Sequence, residues 1–197
     1  MQNNPHTTLI TQDAPLAAST HGGRAKCLQR LVRLNMPVPR TVALSFDAVH
    51  RIAADDMPDI VAIIEQFVPD TLLCVRPSSE DPDWGGPGAV LNVGMNDARY
   101  AELCESLGRE AAAALYLRFV QSYSFHVARL DPDMFDDVAG DGAQGLRDTL
   151  HAYEAETEER FPQDPAEQLA AVLRSMARAW GGTSARLLRQ AKGAPAD

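Results

Sequence analysis

The sequence lacks most of the short motifs that would assign a function directly. Its 197 residues contain no Gly-Lys-Ser/Thr phosphate loop, no His-Glu-x-x-His and no paired Cys-x-x-Cys. A Walker-type nucleotide site and the common zinc sites are therefore not predicted. The five histidines are scattered along the chain, and we interpret each as a structural or surface residue. No metal-binding residue is predicted in this chain.

Long apolar runs and cysteines are also scarce. No stretch of about 18 apolar residues occurs, so no membrane-spanning helix is predicted. The N-terminal residues lack the basic and apolar regions of a secretory signal. The three cysteines, Cys27, Cys74 and Cys104, are too widely spaced for a disulfide framework. Cys27 and Cys74 stand among apolar residues, which predicts buried thiols in a reducing compartment. We therefore expect a cytoplasmic protein.

Positive charge is in short supply. The chain has 18 Lys and Arg against 27 Asp and Glu, which gives a net charge of -9. An acidic protein of this kind is a poor partner for nucleic acids and anionic membranes, so we expect neither. A phosphate-binding site would need a local cluster of cations against this background. The composition is otherwise that of a globular protein, since 45% of the residues are hydrophobic and 23% are charged.

The apolar pattern predicts an α+β fold whose second half is largely helical. Residues 1–20 form a partly irregular N-terminal segment, and residues 21–97 mix short strands with short helices. Residues 98–190 have helical apolar spacing almost throughout, and residues 191–197 form a loose tail. We therefore expect an α+β subdomain over residues 21–97 with a helical part packed on it.

The helical part carries clear boundary signals. Asn96 or Asp97 can cap a helix that ends at Gly108. A glycine-rich stretch over residues 138–145 predicts a loop, and Pro165 predicts the start of another helix. Between these signals lie aromatic residues at helical spacing, which we interpret as core packing: Tyr116, Phe119 and Tyr123.

A cation at a strand end is followed by a glycine-rich loop. The apolar run over residues 72–75 predicts a buried strand, and Arg76 follows it directly. A second apolar run over residues 89–93 returns the chain to the sheet. Between the two runs, the loop contains Gly85, Gly86 and Gly88. Glycine lets backbone N–H groups approach an anion and arginine offers a planar fork of donors, so a phosphate site is one interpretation. A plain hairpin connection is the other.

A second basic segment lies near the N-terminus, where His21-Gly22-Gly23 leads into a predicted helix. Arg24 and Lys26 fall in the first turn of that helix. Basic side chains and the partial positive charge of a helix N-terminus would together suit an anion. A solvated first turn with basic residues explains the same pattern.

Both segments resemble the N-terminal nucleotide-binding domain of pyruvate phosphate dikinases and the related phosphoenolpyruvate synthases. In that family a strand ends in Val-Arg-Ser, and a glycine-rich loop and a strand reading Leu-Asn-(Val/Leu)-Gly-(Leu/Met)-Asn-Asp follow. Here 75–79 reads Val-Arg-Pro-Ser-Ser and 91–97 reads Leu-Asn-Val-Gly-Met-Asn-Asp. The family sequence Gly-Gly-Lys-Gly-Ala-Asn-Leu matches the segment that starts at Gly22. The match runs in order from about Gly22 to Gln190.

The resemblance implies the first subdomain of an ATP-grasp fold. It implies phosphate-binding roles for Arg24 or Lys26, for Arg76, and for the loop glycines Gly85, Gly86 and Gly88. Arg24 aligns with the family's phosphate-contacting lysine, but arginine and lysine are not equivalent ligands, so Lys26 remains an alternative. Pro77 and Ala89 also depart from the family pattern.

The same resemblance implies what the chain would need from elsewhere. The parent enzyme would convert ATP, phosphate and pyruvate to AMP, diphosphate and phosphoenolpyruvate, or would be a synthase with another acceptor. Its second grasp subdomain would supply the Mg²⁺ ligands, and its phosphohistidine domain and pyruvate-binding barrel would complete the reaction. No catalytic residue is predicted in this chain alone. The alternative hypothesis is a non-catalytic, degenerate grasp half that acts as a docking or regulatory module.

Overall fold

The computed structural model describes residues 6–80, 88–135 and 142–193. The chain divides into two compact units. Unit one contains Met1–Val68, Arg76–Pro87 and Arg174–Asp197, and unit two contains Pro69–Val75 and Gly88–Leu173. The domain boundaries predicted from the sequence stay a prediction. In the described ranges, no helix is long and apolar enough to cross a membrane.

Unit one begins with an antiparallel pair of short strands, β1 and β2. β1 is Thr7–Leu9 and β2 is Val42–Leu44, with Thr7 opposite Leu44. The helices that begin in this unit are α1 (Ala18–Arg33), α2 (Phe46–Ala53), α3 (Ile60–Ile64) and α8 (Thr183–Ala191). The end of α7 (Pro165–Gly181) also belongs to it.

Unit two combines a second antiparallel pair with most of the helices. β3 (Leu73–Val75) pairs with β4 (Val90–Val93), with Leu73 opposite Val93. Its helices are α4 (Asp97–Leu107), α5 (Arg109–Tyr123), a π-helical turn (Ser124–Ala128), a 3-10 turn (Pro132–Phe135) and α6 (Gly142–Thr157), followed by the first part of α7. The predicted α+β class is confirmed.

The core of unit one holds the N-terminal segment against α1. Ile10, Leu16, Ala25 and Ala43 are buried together. Gln29 is fully buried on the same helix, and its side-chain amide donates to the carbonyl oxygens of Thr11 (3.2 Å) and Ala14 (2.6 Å). Gln29 thus provides hydrogen-bond donors for backbone carbonyl groups that would otherwise have no partner.

An aromatic cluster forms the core of unit two. The ring of Phe161 lies 5.2–5.9 Å from the rings of four other aromatic residues, mostly edge to face: Tyr116, Phe119, Tyr123 and Tyr153. The core role predicted for the stripe on α5 is therefore confirmed. Helix α5 is central because it packs against α4, α6 and β4.

Several predicted boundaries agree with the structure, and some do not. The side chain of Asn96 accepts from the backbone N–H of Arg99 (2.8 Å), and α4 ends at Gly108, as predicted. The loop predicted over residues 138–145 was wrong at its end, because α6 already begins at Gly142. Residues 136–141 lie outside the described residues.

The burial predicted for two cysteines was wrong. Cys27 and Cys74 are both exposed. Cys27 lies one helical turn from Arg24 and from Arg30, which are also exposed, so it shares the solvent face of α1. Apolar neighbours in sequence did not distinguish the buried face of this helix from its exposed face.

Candidate functional site

A break in α1 at Gly22 is the centre of the candidate site. Gly22 has φ 83° and ψ 162°, a conformation that is essentially restricted to glycine. A Cβ at this position would overlap the backbone carbonyl of Ser78. The segment that contains Gly22 therefore crosses directly over the segment that contains Ser78, and only glycine leaves room for this approach.

Hydrogen bonds hold the crossing together. The backbone N–H of Gly23 donates to the carbonyl oxygen of Ser79 (2.7 Å), and that of Ala25 donates to Ser78 Oγ (3.1 Å). Ser78 Oγ in turn donates to the carbonyl oxygen of His21 (2.8 Å). The structure thus brings together two segments that are more than fifty residues apart in sequence.

The crossing occupies backbone N–H groups that the glycine turn could otherwise donate to an anion. The N–H groups of Gly23 and Ala25 are already used by Ser79 and Ser78. The carbonyl oxygen of Glu80 lies 2.9 Å from the position of a Cβ on Gly23, so another hydrogen-bond acceptor lines the turn. The glycine pair therefore serves the close approach of two chain segments, and any anion here must be held mainly by side chains.

Arg24 and Arg76 are the cations that remain available. Both are exposed, and neither has a hydrogen-bond or ion-pair partner among the described residues. Glu80, an acidic residue close to Arg76 in sequence, forms no ion pair with it, and the nearby Asp81 and Asp83 lie outside the described residues. Arg24 stands between the two residues whose amides bind the crossing segment, and Arg76 lies two positions before Ser78. Each guanidinium keeps its donors for a ligand.

Lys26, the alternative to Arg24, is committed to the protein itself. Its Nζ donates to the carbonyl oxygen of Leu16 and to Gln29 Oε1, each at 2.9 Å. The side chain is half-buried. These contacts support the N-terminal segment and leave Arg24 as the exposed cation directly after the break in α1.

The predicted loop glycines do not join this arrangement within the described residues. Gly85 and Gly86 lie outside the described residues. Gly88 is exposed and belongs to unit two. A Cβ added to Gly88 would lie 3.1 Å from His126 Cε1 and Nε2. Burial, and the nearby positive charge of Arg129, lower the pKa of His126. Sequence reasoning missed this imidazole because nothing in the pattern of scattered histidines points to it.

His21 is a buried structural residue of the turn. Its side chain is only 6% exposed, with Nδ1 2.8 Å from Thr20 Oγ1. Its Nε2 is buried and has no hydrogen-bond partner among the described residues. Burial lowers the pKa of His21, which favours the neutral imidazole. The residue directly before the glycine pair is thus part of the buried framework of the turn.

The charge of the chain is unevenly divided between the units. Unit one carries 12 Lys and Arg against 10 Asp and Glu, while unit two carries 6 against 17. The acidity of the protein therefore belongs to unit two. Unit one, which contains Arg24 and Arg76, has a small excess of positive charge. In the described ranges, no group of three or more His, Cys, Asp or Glu is placed to hold a metal ion.

Comparisons with known proteins give one distant relation. No family model matches the chain. The pyruvate, phosphate dikinase of Clostridium symbiosum is 24% identical to it over 213 aligned positions, which cover 89% of this chain and 24% of the dikinase. The chain thus spans about a quarter of the length of that relative. This similarity suggests a distant relation to a phosphotransferase.

Proposed function

We propose that this chain is the ATP-binding first part of a dikinase-type phosphotransferase and is incomplete alone. The observation that carries the proposal is the crossing at Gly22, which joins the segments of Arg24 and Arg76 while their guanidinium groups have no partner among the described residues. The similarity to a dikinase over most of the chain supports it. In this proposal the fold is the first subdomain of an ATP-grasp domain.

The two arginines would act on phosphate through charge and positioning. A guanidinium binds two phosphate oxygens at once and remains charged at every physiological pH. Phosphoryl transfer depends mainly on positioning and on neutralising charge, so no catalytic side chain from this unit is required. The exposed donors of Arg24 and Arg76 fit this role. Mg²⁺ does not fit the described residues, and its ligands would come from the second grasp subdomain.

The remaining parts of the reaction would lie outside this chain. A phosphohistidine domain would carry the phosphoryl group, and a separate barrel would bind pyruvate. The whole protein would convert ATP, phosphate and pyruvate to AMP, diphosphate and phosphoenolpyruvate. A phosphoenolpyruvate synthase is the related possibility, because in this proposal the acceptor would be bound by other domains.

A titration of ATP against arginine variants tests the proposal. Exposed charge pairs contribute about 0–1 kcal/mol each, so we expect a dissociation constant of about 1 mM or weaker for the isolated chain. Arg76→Ala should weaken binding by up to about fivefold, because one of the two cations is lost, and should leave the melting temperature almost unchanged. The matched control is Arg109→Ala, an exposed arginine of unit two with no partner among the described residues.

Two outcomes would contradict the proposal. If Arg76→Ala lowers the melting temperature by several degrees and binding is unchanged, the arginine is structural. If the wild-type chain binds ATP with micromolar affinity, a complete site exists, and the proposed dependence on a second subdomain is wrong.

A non-catalytic docking or regulatory module is the second candidate. The involvement of the Gly23 and Ala25 amides and of Lys26 in internal contacts favours it, because these groups cannot bind a ligand without being released. The same titration separates the two functions. A chain that does not respond to ATP, phosphate or tripolyphosphate at millimolar concentrations would support the docking module.

A further inference from the structure

The hydroxyl of Ser78 stands in for a missing helical hydrogen bond. In a regular α-helix the N–H of Ala25 would donate to the carbonyl oxygen of His21, four residues earlier. The conformation of Gly22 opens that pair. Ser78 Oγ lies between the two groups, accepting from Ala25 at 3.1 Å and donating to His21 at 2.8 Å. A side chain from a distant segment is thus inserted into the backbone ladder of α1.

We propose that Ser78 is the positioning residue that fixes Arg24 relative to Arg76. This inference rests on the proposed function, because it concerns how the two cations are set for one phosphate chain. The direction of α1 beyond Gly22, and with it the backbone of Arg24, depends on the hydrogen bonds that Ser78 makes. Arg76 is only two residues from Ser78 in the chain.

Pro77 stiffens this connection. The proline ring fixes the φ angle of the residue that links Arg76 to Ser78. Few backbone torsions therefore separate the anchored hydroxyl from the base of the Arg76 side chain. Pro77, which departs from the family sequence, thus helps to hold Arg76 at a fixed position relative to Arg24.

In this arrangement the phosphate contacts come from the side chains of Arg24 and Arg76 and not from backbone N–H groups. The hydroxyl of Ser78 and the carbonyl oxygen of Ser79 occupy the two N–H groups that an anion would use at this helix start. Binding at Arg24 and Arg76 leaves these hydrogen bonds intact. A phosphate that entered the glycine turn itself would have to break them.

Amide hydrogen exchange tests the geometry without any ligand. In Ser78→Ala the Ala25 amide should exchange at least about tenfold faster than in the wild type, because a hydrogen bond that protects it is lost. Ser78→Thr keeps a hydroxyl and should restore most of the protection. Ser79→Ala is the matched control, since Ser79 accepts from Gly23 through its backbone carbonyl. Equal exchange of Ala25 in the wild type and Ser78→Ala would overturn the proposal.

Tripolyphosphate binding tests the positioning role. In the wild type, Arg24→Ala and Arg76→Ala should show coupled losses of affinity, since both arginines hold one chain of phosphates. In the Ser78→Ala background the coupling should fall, and the affinity for tripolyphosphate should drop by about fivefold, with recovery in Ser78→Thr. Unchanged coupling would overturn the positioning role.

The two experiments separate the possible failures. A wild type that does not bind tripolyphosphate or ATP refutes the proposed function and the positioning role together, even where exchange confirms the inserted hydroxyl. Binding that is intact in Ser78→Ala, with Arg24 and Arg76 still coupled, refutes the positioning role alone.

Discussion

Replacing Gly22 by alanine tests the crossing on which the candidate site depends. The position has a backbone conformation that is restricted to glycine, which costs an alanine about 1–3 kcal/mol. The new Cβ would also lie closer than 3.0 Å to Ser78 atoms, and such overpacking costs about another 1–3 kcal/mol. Displacing Ser78 would break its two hydrogen bonds, at about 1 kcal/mol each. We expect a loss of about 4–8 kcal/mol in the free energy of unfolding.

Gly108 provides a matched control for this prediction. It has nearly the same backbone conformation, φ 85° and ψ 153°, but a Cβ added to it would have no neighbouring atom within 4 Å among the described residues. Gly108→Ala should therefore show the backbone cost alone, about 1–3 kcal/mol. Urea denaturation of both variants measures the difference, and at about 2–4 °C per kcal/mol thermal melts should separate them clearly. If Gly22→Ala is no less stable than Gly108→Ala, the chain segments do not cross at Gly22 as described.

Three further predictions concern His21, Gln168 and the activity of the purified chain. The free energy of unfolding should fall as the pH drops below 6.5, because burial lowers the pKa of His21 and the unfolded chain then binds more protons. Urea melts at several pH values should show a weaker pH dependence for His21→Gln. An equally weak dependence in a variant of the exposed His151 would contradict this cause. Gln168→Ala should cost about 3 kcal/mol or more in urea denaturation, because the fully buried side chain bonds to Gly94, Met95 and Pro162, and a loss below about 1 kcal/mol would refute that role. The purified chain should make no phosphoenolpyruvate from ATP, phosphate and pyruvate in a coupled assay, and detectable turnover would refute its proposed dependence on other domains.

The parts of the fold that depend on local signals could be predicted from the sequence. Caps and stops such as Asn96 and Gly108 act within one helical turn, so their chemistry is visible in a few residues. The aromatic stripe on α5 was also predictable, because its spacing matches one face of a helix.

The arrangement of the candidate site depends on contacts that no local pattern contains. Ser78 and His21 are 57 residues apart, and their hydrogen bond exists only after folding. The sequence drew attention to the glycine pair, but it could not show that a chain segment fills the space beside it. The commitment of Lys26 to Leu16 and Gln29 was hidden for the same reason. Exposure of Cys27 depended on which face of α1 packs inward.

An NMR titration of the chain with ATP tests the central claim most directly. The claim is that Arg24 and Arg76 together form one half of a phosphate site. The backbone and guanidinium signals of both residues should shift along the same saturation curve, with a dissociation constant of about 1 mM or weaker, since only exposed charge pairs hold the nucleotide. Removing either arginine should weaken the shifts at the other. Shifts that saturate independently at the two arginines, or that are absent from both, would contradict the claim.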